Sequence, residues 1–173
     1  MRAPPHLPEE TLYRVLRLAR FNGMSVLAIA GFFSLLSAAG HDVPGAIVGV
    51  LVAGAGAFEL HGVGLLRQGD TRGTTWLVSS QLYLLVVVLA YVGFRLTHID
   101  LEQLRLLITE EQRETISMSG LSEDQFLRVI YTTSSAVFGI VTLFYQGGMA
   151  FYYHRRRAAI AQALAEPPET PRD

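Results

Sequence analysis

Glu59 stands inside the apolar run from Val43 to Leu66, where an acid is costly when ionised and faces protein or water rather than lipid. Such a group either clasps polar neighbours or carries a proton or a cation. At 1.5 Å rise per residue it lies about 12 Å along a helix from Arg67, the basic end of its run. Counted from their own basic ends, other polar side chains reach comparable depth: Gln81 seven residues past Thr74, Tyr145 and Gln146 about eight before His154, and Asn22 at the start of the first apolar run. An amide such as Gln81 can accept a hydrogen bond from a protonated carboxylic acid. Glu59, Gln81, Gln146, Tyr145 and Asn22 are therefore expected to form one intramembrane polar cluster. A hydrogen-bonded structural clasp is its simpler use, and a proton or cation site its sharper one.

Other chemistry is poorly represented. The chain has no cysteine, which removes disulfides, thiolate metal sites and cysteine nucleophiles. All 14 basic residues are arginine, so neither a Schiff-base lysine nor a phosphate-loop lysine is available. Neither an H-E-x-x-H nor a G-x-S-x-G pattern occurs, and Gly54-Ala55-Gly56-Ala57 sits within an apolar run rather than after a strand. No catalytic residue, metal site or cofactor is expected. A remote alternative comes from the histidines: His41 and His98 fall near one membrane face and His61 and His154 near the other, so two haem-ligand pairs of an electron-transfer bundle can be drawn. His61 is two residues from Glu59, about 200° around a helix, and cannot pair with it.

The elements that must position these groups are helices. Half of the 173 residues are hydrophobic and mean hydropathy is +0.33. Four apolar stretches, at 21–40, 43–66, 74–96 and 127–153, are each long enough to cross a bilayer at about 20 residues. The expected fold class is all-α: a single polytopic domain over 1–163 with four transmembrane helices, an outer loop at 97–126 and a disordered, proline-rich tail at 164–173. Within the loop, Asp100 and Gln103 with leucines at helical spacing predict an amphipathic helix over about 100–115; Ser122 and Gln125 form a capping box opening the last helix. Gly45, Gly49 and Gly56 share a stripe with Glu59, and Ser135 and Gly139 lie on another with Thr132, Thr142 and Gln146. Small residues of this kind let helices approach closely in lipid.

Arginines set the orientation. Arg14, Arg17 and Arg20 precede the first span, Arg67 and Arg72 flank the second connection, and Arg155 to Arg157 follow the fourth span; the connection at 97–126 is acidic. The positive-inside rule then places both ends of the chain in the cytoplasm. Residues 8–20 are read as an amphipathic entry helix. Its arginines can meet anionic head groups, although an ordinary positive-inside flank accounts for them more simply. Ser37-Ala38-Ala39 resembles a signal cleavage site, but Glu9 and Glu10 in a long leading segment favour a retained anchor. Trp76, Tyr152 and Tyr153 fall at the inner borders, where amphipathic rings anchor spans.

A net charge of -1 argues against nucleic-acid binding. The expected partners are the lipid bilayer and either further copies of the chain or another membrane protein. The favoured function is a non-enzymatic accessory or scaffold subunit of the cell membrane; the alternative is a channel or proton-coupled transporter using Glu59.

Overall fold

The computed structural model describes residues 7–99, 101–105, 108, 109, 113, 116, 120 and 122–165. All regular structure among them is helical: α1 Pro8–Ala39, α2 Val43–Arg67, α3 Arg72–Thr97, the short α4 Leu101–Arg105, and α5 Glu123–Ala165. The four long helices are each apolar and long enough to cross a membrane.

Local sequence explains the helix limits. Pro8 occupies the first turn of α1, where its missing N–H is not needed, and Glu9 and Glu10 follow at the positive end of the helix dipole. No glycine or proline intervenes before Gly23, so the expected entry helix and first span are one continuous helix of 32 residues. At its far end the Gly40 N–H bonds to the Leu36 carbonyl at 2.9 Å, and His41 takes a left-handed φ of 59° to reverse the chain. The Asp42 side chain then accepts the Gly45 N–H at 3.1 Å, capping α2. Gly69, at φ 81°, turns the chain between α2 and α3. Before α5 the reciprocal capping box is present: the Ser122 N–H donates to Gln125 Oε1 at 3.2 Å and the Gln125 N–H to Ser122 Oγ at 3.3 Å.

Residues group into two compact units, one of residues 1–87 with 145–173, the other of residues 88–144. In the first, all four long helices contribute to one core of Val15 and Ala19 (α1), Val63 and Leu66 (α2), Leu77 (α3), and Tyr153 and Ile160 (α5). Glycine contacts draw the helices together. A Cβ on Gly56 would lie 2.7 Å from the Gly23 carbonyl oxygen, and one on Gly73 would lie 2.5 Å from the Gly62 carbonyl oxygen. Gly49 is pressed against Ser34, whose hydroxyl donates to the Ala46 carbonyl at 2.8 Å.

The second unit holds the far end of α3, α4 and the first half of α5. Arg95 Nε donates to the Tyr131 hydroxyl at 2.7 Å, and Gly139 is in ordinary contact with Leu89 and Val92. Arg105 holds Asp124 through Nη2 at 2.6 Å and Nε at 3.1 Å; this hydrogen-bonded carboxylate keeps the guanidinium above the usual arginine range. The amphipathic helix expected over 100–115 is not continuous: Leu101–Arg105 (α4) and Arg113 are helical, Ile108 and Thr109 between them are not, and the remaining positions lie outside the described residues. The predicted tail at 164–173 keeps Leu164 and Ala165 within α5, and residues 166–173 lie outside the description.

Candidate functional site: a buried carboxyl held by four helices

Glu59 is 2 % exposed. It follows Gly56 by three residues on α2, so the face that admits α1 also carries the acid toward the interior. Asn22, adjacent to Gly23 on α1, donates from Nδ2 to Glu59 Oε2 at 2.7 Å. The Tyr153 hydroxyl on α5 donates to Oε1 at 2.8 Å. Gln81 on α3 is buried beside the carboxyl. Thus α1, α3 and α5 each bring a polar side chain to the one acid of α2. Tyr145, on α5, extends the set by donating to Asn22 Oδ1 at 3.3 Å. Tyr145 is 52 % exposed, so the series runs from a partly exposed residue through an amide to an enclosed carboxyl.

Of the residues expected from sequence, Asn22, Gln81 and Tyr145 are thus brought to Glu59 directly or through one another. Gln146 is buried on α5, but its Oε1, like that of Gln81, has no donor among the described residues. Tyr153 is a correction. Expected as a ring at the membrane border, it has no exposed surface and supplies one of the two strongest contacts to the acid. Its spacing from Thr142 and Gln146 through Ala150, in steps of four, four and three, keeps one helix face and was the available signal. The neighbouring Tyr152 and Trp76 do remain partly accessible, Tyr152 under the Arg156 guanidinium and Trp76 against Phe58 and His61.

Gly49 and Gly56 pack on the α1 backbone, and Gly45 lies against Ser37 of α1 and its own cap residue Asp42. Ser135 is half-buried. Gly23, Gly62 and Gly73, absent from the expected packing set, make closer backbone approaches than Gly139 does. His41, His61, His98 and His154 are all exposed; His98 stacks on Phe94 at 4.5 Å and His61 meets Trp76 edge-on at 4.8 Å. No group of three or more metal-ligating side chains occurs among the described residues.

The polar set can do two things chemically. Donors on both oxygens compensate the carboxyl for the loss of water, which ties α1 and α5 to α2 at one depth. A buried carboxyl can also take up and release a proton itself. No family model matches this chain, and no curated protein or solved structure matches it either.

Proposed function

We propose that the chain is a multi-pass protein of the cell membrane, with both ends cytoplasmic, that acts without enzymatic chemistry as an accessory or scaffold subunit. The observation carrying this reading is the burial of Glu59 with one donor on each oxygen, Asn22 from α1 and Tyr153 from α5. An acid engaged on both oxygens and shielded from solvent is suited to fixing helix positions rather than to exchanging ions. A partner surface is favoured by the outward polar run of α5, where Thr132, Thr133 and Ser134 are all exposed. Hydroxyls on a span give a second copy or another membrane protein something that lipid tails cannot use. Native mass measurement from mild detergent tests the reading. A discrete oligomer or a stoichiometric co-purifying protein is expected; a lone monomer at every concentration counts against it.

A second reading, a proton-coupled channel or transporter, is favoured by one feature, the exposed residue Tyr145 linked through Asn22 to Glu59. Proteoliposomes decide it. Proton flux in the parent that disappears in Glu59→Gln would support transport, and absence of flux in the parent would discard it.

A further inference from the structure

A groove of about 770 Å³ opens at the basic ends of α1 and α2, with Arg14, Arg17, Arg20 and Arg67 along it and Phe21 and Met24 at its apolar end. Arg17, Arg20, Phe21 and Met24 fall at successive steps of three, one and three, one face of α1. Arg67 reaches the same groove because α2 runs back alongside α1, as the Gly23 to Gly56 and Ser34 to Gly49 contacts fix. The sequence alone supplies only the α1 arginines; the fold adds a cation from 47 positions away.

We infer that this groove binds the head group of an anionic phospholipid of the cytoplasmic leaflet, with its phosphate among Arg17, Arg20 and Arg67 and its acyl chains along Phe21 and Met24. Charge supports this occupant. Arg14 has Glu10 at 4.0 Å, but Arg17, Arg20 and Arg67 form no ion pair among the described residues. Planar guanidinium groups pair with phosphate through two parallel hydrogen bonds. The groove also matches an amphiphile: Tyr13, Leu16 and Leu18 line it among the cations, and beyond Arg20 it continues along Phe21, 73 % exposed, and Met24, 53 % exposed, with no further charge on α1. The other basic cluster differs, since Arg155 and Arg156 lie over the rings of Phe151 and Tyr152, each 5.6 Å from the ring centre.

Native mass spectrometry of the full chain in mild detergent, titrated with phosphatidylglycerol, diphosphatidylglycerol or phosphatidylcholine, tests the inference. The parent should retain the anionic lipids and release phosphatidylcholine. At about fivefold per arginine near a lipid surface, the Arg20→Gln, Arg67→Gln pair should weaken retention about 30-fold, and the Arg155→Gln, Arg156→Gln pair by less than about threefold. Equal losses in the two pairs, or retention of phosphatidylcholine by the parent, would overturn the site. Displacement by millimolar inorganic phosphate would overturn the lipid as its occupant. The parent titrations decide the lipid preference even if the first pair folds poorly, and Arg20→Lys, Arg67→Lys then separates loss of charge from loss of the paired hydrogen bonds.

Discussion

Tyr153 and Asn22 divide the work of compensating Glu59, one donor to each carboxyl oxygen, and their removal should not be equivalent to removal of the acid. Hydrogen bonds between transmembrane helices contribute about 0.6 kcal/mol on average and up to about 1.7, because the separated helices find other polar partners. Tyr153 belongs near the upper end of that range: its hydroxyl is fully enclosed, and its loss leaves a buried carboxyl oxygen short of a donor. Tyr153→Phe is expected to destabilise the protein by about 1–2 kcal/mol, read as a lowered unfolding midpoint in detergent. In a Glu59→Met background the same substitution should cost clearly less, since the acceptor is gone; equal costs in both backgrounds would show that the hydroxyl and the acid are not coupled. Depth counting from the arginines pointed to Asn22 and Tyr145, which hydrogen bonds do join to Glu59, but equally to Gln146, whose Oε1 has no partner among the described residues. Tyr153 escaped that count for a physical reason. A tyrosine at the end of an apolar run satisfies both an interfacial and a buried role, and only the packing of α5 against the acid selects between them.

At the scale of elements, the close approach of α1 and α2 depends on which glycines face backbone. A Cβ on Gly56 would meet the Gly23 carbonyl oxygen and the Leu27 nitrogen at 2.7 Å, and neither atom belongs to a side chain that can turn away. Gly56→Ala is therefore expected to cost about 1–3 kcal/mol by overpacking and to pull Glu59 from Asn22. Gly54, two residues earlier, has nothing within 4 Å of its Cβ position, so Gly54→Ala should change stability by less than about 1 kcal/mol and in the favourable direction. Thermal unfolding of the two variants in the same detergent makes the comparison; similar losses would mean that packing at Gly56 is not what holds the pair together. Hydropathy located all four long helices but began the first at residue 21, since it registers apolar content, whereas the backbone hydrogen bonds of α1 continue unbroken through Arg14, Arg17 and Arg20. The capping box before α5 was legible because it is local. Gly23, Gly62 and Gly73 were not: each matters through a partner helix whose register no short stretch of sequence states.

For the whole molecule, the long helices leave large apolar side chains in the open, among them Phe21, Ile29, Phe32, Phe33, Leu35 and Phe144, all more than half exposed. Water is a poor environment for that much apolar surface, and a bilayer is a good one. At 43 residues α5 extends about 64 Å, roughly twice the hydrocarbon thickness, so its ends must leave the membrane on both sides if it crosses at all. Orientation then follows from charge, because Arg67, Arg72 and Arg155 to Arg157 would have to share a compartment with the arginines of α1. The absence of cysteine makes this directly measurable, since every introduced thiol is unique. His98→Cys, in the exposed turn after α3, should react with a membrane-impermeant maleimide in intact cells. Gln68→Cys and Ala165→Cys, both at exposed positions beyond the arginine-marked ends, should react only after permeabilisation. Labelling of Gln68→Cys and Ala165→Cys from opposite sides would leave α3 and α5 crossing an odd number of times between them. The four-span arrangement could not then be kept, and the meeting of Asn22, Gln81 and Tyr153 at the depth of Glu59 would lose its membrane setting.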